Sequence, residues 1–378
     1  MKTKIKRFLL ILAFALIPTM LIWLPFFAKA KTFWSIPLPQ NGMATIVANY
    51  DGPLYIVAAK TLYNKELIES NYQFPLPTEY YAAHFPLFPV LIRLFSLATN
   101  YSYAMLTATL ASSVLAIFFF EKLISKFVGK KDALFLTFLF SILPARWLIV
   151  RSVGSADPLF IAGVLASLYY FREKKYWLSG IWGMVAVFTK SPGILLFGGY
   201  AIYYIVDCIR KNKLDLKIKK YLPVFLIPLG LIAVFAFYKI TMGNFWAYFN
   251  SGDNIHLLFP PFQIFNYSAN WVGTFWLEEI IFIYAAGAVG IYRLFQKKEY
   301  ELGTFASIFY LMILFVAHRD ILRYFLPVVP FLFVAFSDFL TRKEVKIVLA
   351  IIIIPIYLFS LSFISQNVMP ISNWAPFL

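Results

Sequence analysis

Three residues in one stretch have the chemistry to move a proton. They are Asp51 in Asn49-Tyr50-Asp51-Gly52-Pro53, Glu79, and His84 in His84-Phe85-Pro86-Leu87-Phe88-Pro89. A carboxylate can take the proton of a hydroxyl as that hydroxyl attacks an electrophilic carbon, and Asp51 is the candidate for this base. Glu79 and His84 are candidates to orient the hydroxyl or a leaving group. Further along, Arg151, Lys190, Arg319 and Arg323, with Arg146 behind them, could steady negative charge on a phosphate. Each has a plainer role beside the chemical one. Asp51 could cap a helix beginning near Pro53. Glu79 and His84 could hydrogen-bond loop backbone. The cations could snorkel to lipid head groups, as most Lys and Arg at membrane helix ends do. Asp157, just before Pro158, is read as a cap. The scattered carboxylates show no metal-ligand spacing, so no metal or other cofactor is expected.

The elements that must position these residues are membrane helices. The 378-residue chain is 61% hydrophobic, 20% aromatic and 14% charged, the composition of an integral membrane protein. Apolar runs that can span, or can do so with their flanks, fall at 8–27, 103–120, 133–150, 158–171, 176–189, 192–209, 221–238, 274–295, 300–317, 321–339 and 345–364. The expected fold is therefore an all-α polytopic membrane protein of about 11 transmembrane helices. Threaded with the N-terminus in the cytoplasm, its inner segments hold 23 of the 34 Lys and Arg, the bias that orients membrane proteins. The net charge of +16 thus meets anionic lipid rather than nucleic acid. Lys2, Lys4, Lys6, Arg7 and the apolar run before Ala28-Lys29-Ala30 resemble a signal peptide, but the run exceeds the usual 7–15 residues. A retained first helix is expected. The single cysteine, Cys208, excludes an intramolecular disulfide.

One integral-membrane domain over 1–378 follows, with two long extracytoplasmic segments, 29–102 and 241–273. The first holds the acid–base residues. Leu54, Val57, Ala58 and Leu62 recur at helical spacing opposite Lys60, Asn64 and Lys65, which predicts an amphipathic interfacial helix. A second surface helix is predicted over 85–98, with Leu87, Val90, Leu91, Leu94 and Phe95 on one side and Arg93 off it; it is too short to span. The 241–273 segment is rich in aromatics, with Asp253 its only formal charge, and suits the leaflet surface or a groove for an apolar chain. The cations near the span ends lie at the outer rim, where they suit the phosphate of a lipid-attached substrate.

Five motifs in order resemble the GT-C glycosyltransferases, and most nearly the PIG-V-like mannosyltransferases. They are Tyr50-Asp51-Gly52; Glu79 with His84-Phe85-Pro86-Leu87-Phe88-Pro89; Ser155-Ala156-Asp157-Pro158-Leu159-Phe160; Thr189-Lys190-Ser191-Pro192-Gly193; and Arg323-Tyr324-Phe325-Leu326-Pro327 with Pro330. Tyr50 stands where that family usually has Trp, and Lys190 where it usually has Arg. The resemblance implies an extracytoplasmic site and a polyprenyl-phosphate sugar donor, with mannose as the sugar. It further implies inversion at the anomeric carbon and an exported glycan, lipid or protein as acceptor. Asp51 would then be the base, and Arg151, Lys190, Arg319 and Arg323 would bind the donor. The rival class is a transporter or lipid-linked-sugar flippase without covalent chemistry. Such proteins favour inverted repeats and polar groups at the bilayer midplane, whereas here no repeat is seen and the polar residues lie at the rim. A non-catalytic scaffold is the third reading.

Overall fold

The computed structural model describes residues 2–72, 77–212, 218–252, 256–266 and 277–378. Asp253, Tyr267 and Trp271 of the second long segment lie outside the described residues. The chain opens on α1 (Lys2–Phe27), whose apolar sequence runs long enough to cross a bilayer. A two-residue hairpin, β1 (Thr32–Phe33) with β2 (Ile36–Pro37), then leads into α2 (Met43–Val47), α3 (Gly52–Thr61), α4 (Lys65–Asn71) and α5 (Leu87–Phe95). The bundle follows: α6 (Tyr101–Ile124), α7 (Lys130–Ile142), α8 (Ala145–Ser152), α9 (Asp157–Arg172), α10 (Tyr176–Thr189), α11 (Leu195–Lys211) and α12 (Leu226–Thr241). After the second long segment come α13 (Leu277–Gln296), α14 (Tyr300–Leu314), the short α15 (Ile321–Phe325), α16 (Val329–Ala335) and α17 (Ser337–Leu340), and finally α18 (Lys343–Gln366).

Helix occupies part or all of each of the eleven apolar runs. Among the described residues, five helices are individually long and apolar enough to cross a membrane, or six if the α7–α8 pair, bent by 69°, is counted as one broken span. The bend falls at Pro144, which has no N–H to continue the ladder. The fold is an all-α polytopic membrane bundle, in which several of the expected crossings are short or broken helices.

At the centre stands α9. Its residues from Asp157 to Leu168 are all buried, as expected of a helix that is apolar all round. It packs closely on α10 because Gly163 offers no side chain: a Cβ there would come within 3.0 Å of Ala186.

The first long segment departs from the amphipathic expectation in an informative way. Nearly every residue of α3 is buried, and Lys60 is only half-buried. Leu54, Val57 and Ala58 pack with Tyr238 of α12, while Tyr55, Ile56 and Ala59 pack with Phe88 and Ile92 of α5 and with Met105 of α6. The helix is thus clamped on both sides, and residues at its start are rigidly placed. In α5 the side turned to the protein is Phe88 and Ile92, leaving Val90 and Leu94 exposed. Its predicted apolar side was therefore rotated relative to the buried one, because a helix at a membrane surface can be apolar on both.

Candidate active site

Asp51 occupies the N-cap position of α3, yet its side chain makes no capping hydrogen bond. The carboxylate turns instead to Arg323: Oδ2 accepts from a guanidinium nitrogen of Arg323 at 3.4 Å, and His84 Nε2 stands 3.9 Å from the same oxygen. Asp157 is held much more tightly. Its Oδ2 accepts from Arg323 Nε at 2.7 Å and from the Ser155 hydroxyl at 2.8 Å, and its Oδ1 accepts from Lys190 Nζ at 2.5 Å. The expectation that Asp157 caps α9 is overturned, since it is the first helical residue and makes no cap bond. Its carboxylate is the anchor that holds both cations.

A second ion pair lies alongside. Arg146 Nε is 2.9 Å from Asp320 Oδ1, and another Arg146 nitrogen donates to the Tyr50 hydroxyl at 3.0 Å. The Arg323 guanidinium lies over the Tyr50 ring at 4.5 Å, and Arg146 stacks on Phe363 at 3.8 Å. Tyr50 is therefore gripped by two arginines, from α8 and α15. Sequence alone did not give Asp320 or Tyr50 this role, because their partners come from distant helices.

These groups line a cavity of about 1100 Å³. One part carries Asp51, His84, Asp157, Lys190, Arg319 and Arg323; the other is walled by apolar residues including Phe160, Leu195, Leu231, Phe235, Phe309 and Met312. Arg319 is exposed and makes no ion pair among the described residues. Ser191 and the Tyr248 hydroxyl are hydrogen-bonded at 2.8 Å, and Tyr248, Phe249 and Leu257 bring the second long segment to the wall. The cavity lies at one end of the bundle. Asp157, Leu195 and Gln366 line it, while Arg172, Lys211 and Lys343 end the same three helices at the far side.

Two of the seven expected site residues do not reach this cavity. Glu79 sits on a short 3-10 helix (Thr78–Ala83) whose Tyr80 and Ala83 line the cavity, but its own carboxylate pairs with Lys65 at 3.3 Å. Arg151 is fully buried and donates to the backbone carbonyls of Ser141 and Ala15, tying α8 to α7 and α1. Its charge is taken up by these two carbonyls, one in the last turn of α7 and one midway along α1, so it is unavailable to a ligand.

Exposure, rather than charge state, separates the two carboxylates, since Arg323 and Lys190 hold both below the usual carboxylate range. The Asp157 side chain is 5% exposed and that of Asp51 is 31% exposed, its open part facing the cavity. Burial alone would raise the Asp51 pKa. His84, Arg323 and Lys190 outweigh it and hold the carboxyl well below the usual range. Asp51 is thus ionised at neutral pH but only loosely paired. His318 accepts from the Asp320 N–H through Nδ1 at 3.0 Å. Burial, with help from His256, Arg323 and Arg319, pushes it down to about 4, so it is a neutral imidazole at pH 7. Among the described residues, no group of three or more His, Cys, Asp or Glu converges on a metal position.

No family model matches the chain, and no curated protein matches it by sequence. Solved structures do resemble it. One is ArnT from Cupriavidus metallidurans bound to undecaprenyl phosphate, with a TM-score of 0.58 and 16% identity over 88% of this chain and 62% of that one. Another is the oligosaccharyltransferase of Archaeoglobus fulgidus in complex with Zn and sulfate, with a TM-score of 0.53 and 14% identity over 96% of this chain and 54% of that one. The same organism's oligosaccharyltransferase AglB, in complex with an inhibitory peptide and a dolichol-phosphate, gives 0.54 and 12% over 96% and 57%. The chain thus spans between 54% and 62% of the length of these proteins. At such identities the likeness is one of fold, and the chain has the polytopic helical fold of the GT-C glycosyltransferases.

Proposed function

We propose that the chain is an integral-membrane glycosyltransferase that moves a monosaccharide from a polyprenyl-phosphate donor to an acceptor hydroxyl on the extracytoplasmic face. The observation that carries this reading is the contrast between the two carboxylates beside one arginine. Asp157 is locked by Arg323, Lys190 and Ser155, whereas Asp51 is held at 3.4 Å and open to the cavity. Such an arrangement suits an anchor and a base. The apolar part of the cavity suits an isoprenoid chain, and the cationic part suits its phosphate.

In this mechanism Arg323 and Lys190 bind the donor phosphate, with Arg319 at the rim. An incoming phosphate competes for the Arg323 nitrogen that contacts Asp51, the weakest link of the network, and so frees the carboxylate. The acceptor hydroxyl attacks the anomeric carbon from the face opposite the phosphate, and Asp51 takes its proton. The new C–O bond forms as the old one breaks, and polyprenyl phosphate leaves as a monoester whose added negative charge the cations stabilise. Configuration inverts. His84, beside Asp51, orients the carboxylate or the acceptor. Mannose is the sugar suggested by the sequence motifs. Loss of labelled sugar from the polyprenyl-phosphate donor, with its appearance on acceptor, tests the reaction; a lipid that is only translocated keeps its sugar.

Sidedness has its own test. In a Cys208→Ser background, Ser70→Cys is expected to react with an impermeant thiol reagent added to intact cells, while Asn212→Cys is not. Both positions are exposed, and Asn212 follows α11, whose 17 residues carry the chain about 25 Å from the cavity. The basic bias of the far ends motivates the orientation. Labelling at Asn212 with protection at Ser70 would place the cavity on the cytoplasmic side.

A further inference from the structure

Asn49, directly before Tyr50 and Asp51, is fully buried. Its side chain does not serve its own loop. Nδ2 donates to the Ile364 carbonyl at 2.7 Å, and Oδ1 accepts from Asn367 Nδ2 at 3.2 Å. The backbone repeats the link: Asn49 and Val368 form an antiparallel bridge, and the Met369 N–H donates to the Ala48 carbonyl at 2.8 Å. Ile364 lies in the last turn of α18, where carbonyls have no partner within the helix, and Asn49 supplies one. On its other side, the Asn49 carbonyl accepts the Gly52 N–H at 3.1 Å and closes the turn that presents Asp51.

That turn needs holding. Tyr50 has φ +49°, a left-handed conformation that a bulky side chain adopts only when its surroundings enforce it. Gly52 is equally constrained, since a Cβ there would come within 2.4 Å of the Val47 carbonyl. We propose that Asn49 is the positioning residue for the candidate base: it pins the Tyr50–Asp51 turn to the end of α18 and so sets where the Asp51 carboxylate stands relative to Arg323. The same end of α18 also walls the cavity, through Phe363, Gln366, Asn367, Val368 and Met369. Movement of this wall and movement of the base are therefore coupled through Asn49, by its side chain and by the backbone bridge beside it. This inference rests on Asp51 as the base.

The test is a double-mutant cycle on the full chain, reading kcat, donor KM and Tm. Asn49→Ala is expected to lower kcat about 10–10²-fold with donor KM within about twofold, because a shift of about 1 Å at a reacting group costs that order. Asn367→Ala, which keeps the bond to Ile364, gives a smaller loss of the same kind. In the Asp51→Asn background both further losses largely vanish, since the group being positioned no longer accepts a proton. If Asn49→Ala does not fold, Asn367→Ala carries the cycle alone. Losses that multiply fully with Asp51→Asn, or an unchanged kcat in folded single variants, overturn the positioning role. Near-normal kcat for Asp51→Asn alone instead removes the base assignment, and the role of Asn49 falls with it.

Discussion

Replacement of Asp51 by Asn is expected to lower sugar-transfer turnover by about 10²–10⁴-fold, the usual contribution of a general base, while the protein still folds and binds donor. Folding should survive for a structural reason. Asp51 stands at the N-cap of α3 but makes no cap bond, and Asn is as good a cap as Asp. Arg323 keeps its closer partner Asp157 at 2.7 Å, so the loss of the 3.4 Å contact leaves no buried cation unpaired. Asn preserves the size of the side chain and cannot take the proton. The measurement is initial-rate transfer by purified Asp51→Asn protein beside donor binding and Tm. Near-normal turnover would sink the base assignment. A lost fold would instead show that the weak pairing to Arg323 and His84 matters more for structure than its distances suggest.

Arg323→Ala is the second large effect. The guanidinium bridges Asp157 and Asp51 and lies over Tyr50, so its removal strips the donor phosphate of one charged partner. A hydrogen bond to a charged group contributes about 1.5–3 kcal/mol, which corresponds to roughly a 10–10²-fold rise in donor KM. Arg323→Lys should recover part of it, since Lys brings the charge without the planar fork. The pH profile adds an independent sign. Arg323 helps to hold Asp51 below the usual carboxylate range, so its loss raises the Asp51 pKa. The acid limb of kcat/KM, which reports the free enzyme, should therefore move to higher pH in Arg323→Ala and less in Arg323→Lys. Equal donor KM and an unmoved acid limb would reduce Arg323 to a packing residue.

Much of the scaffold was legible because a bilayer imposes long apolar runs and a basic bias. The placement of helix in each run followed from that, but the lengths did not. Short or broken helices such as α7–α8 and α15–α17 arise where proline interrupts the ladder and where neighbouring helices supply the burial. Within the cavity, Asp51 and His84 were legible as acid–base residues of the first long segment, and Lys190, Arg319 and Arg323 as cations at span ends. What separates them from Arg151 is tertiary: Arg151 points into the joint of α1, α7 and α8, where backbone carbonyls take its charge. Glu79 stays out of the cavity for a related reason, because its carboxylate pairs with Lys65 while Tyr80 and Ala83 of the same short helix line the wall. The role of Asp157 was misread, since Asp before Pro is a common helix start and nothing local reveals Arg323, 166 positions on. Asn49 gave no signal at all. Its partners lie in the last helix and beyond it, and only the folded chain brings them within hydrogen-bond reach.

The measurement that tests the account most directly is the fate of the glycosidic bond. Purified protein in lipid, given polyprenyl-phosphate monosaccharides of defined anomeric configuration and a panel of glycan, lipid and peptide acceptors, should release one polyprenyl phosphate per sugar transferred. The product should carry the opposite anomeric configuration, and Asp51→Asn should abolish most of the release. A donor that binds or crosses the bilayer with its sugar still attached, in wild type and variant alike, would contradict the account and make the cavity a passage for a lipid-linked sugar rather than an active site.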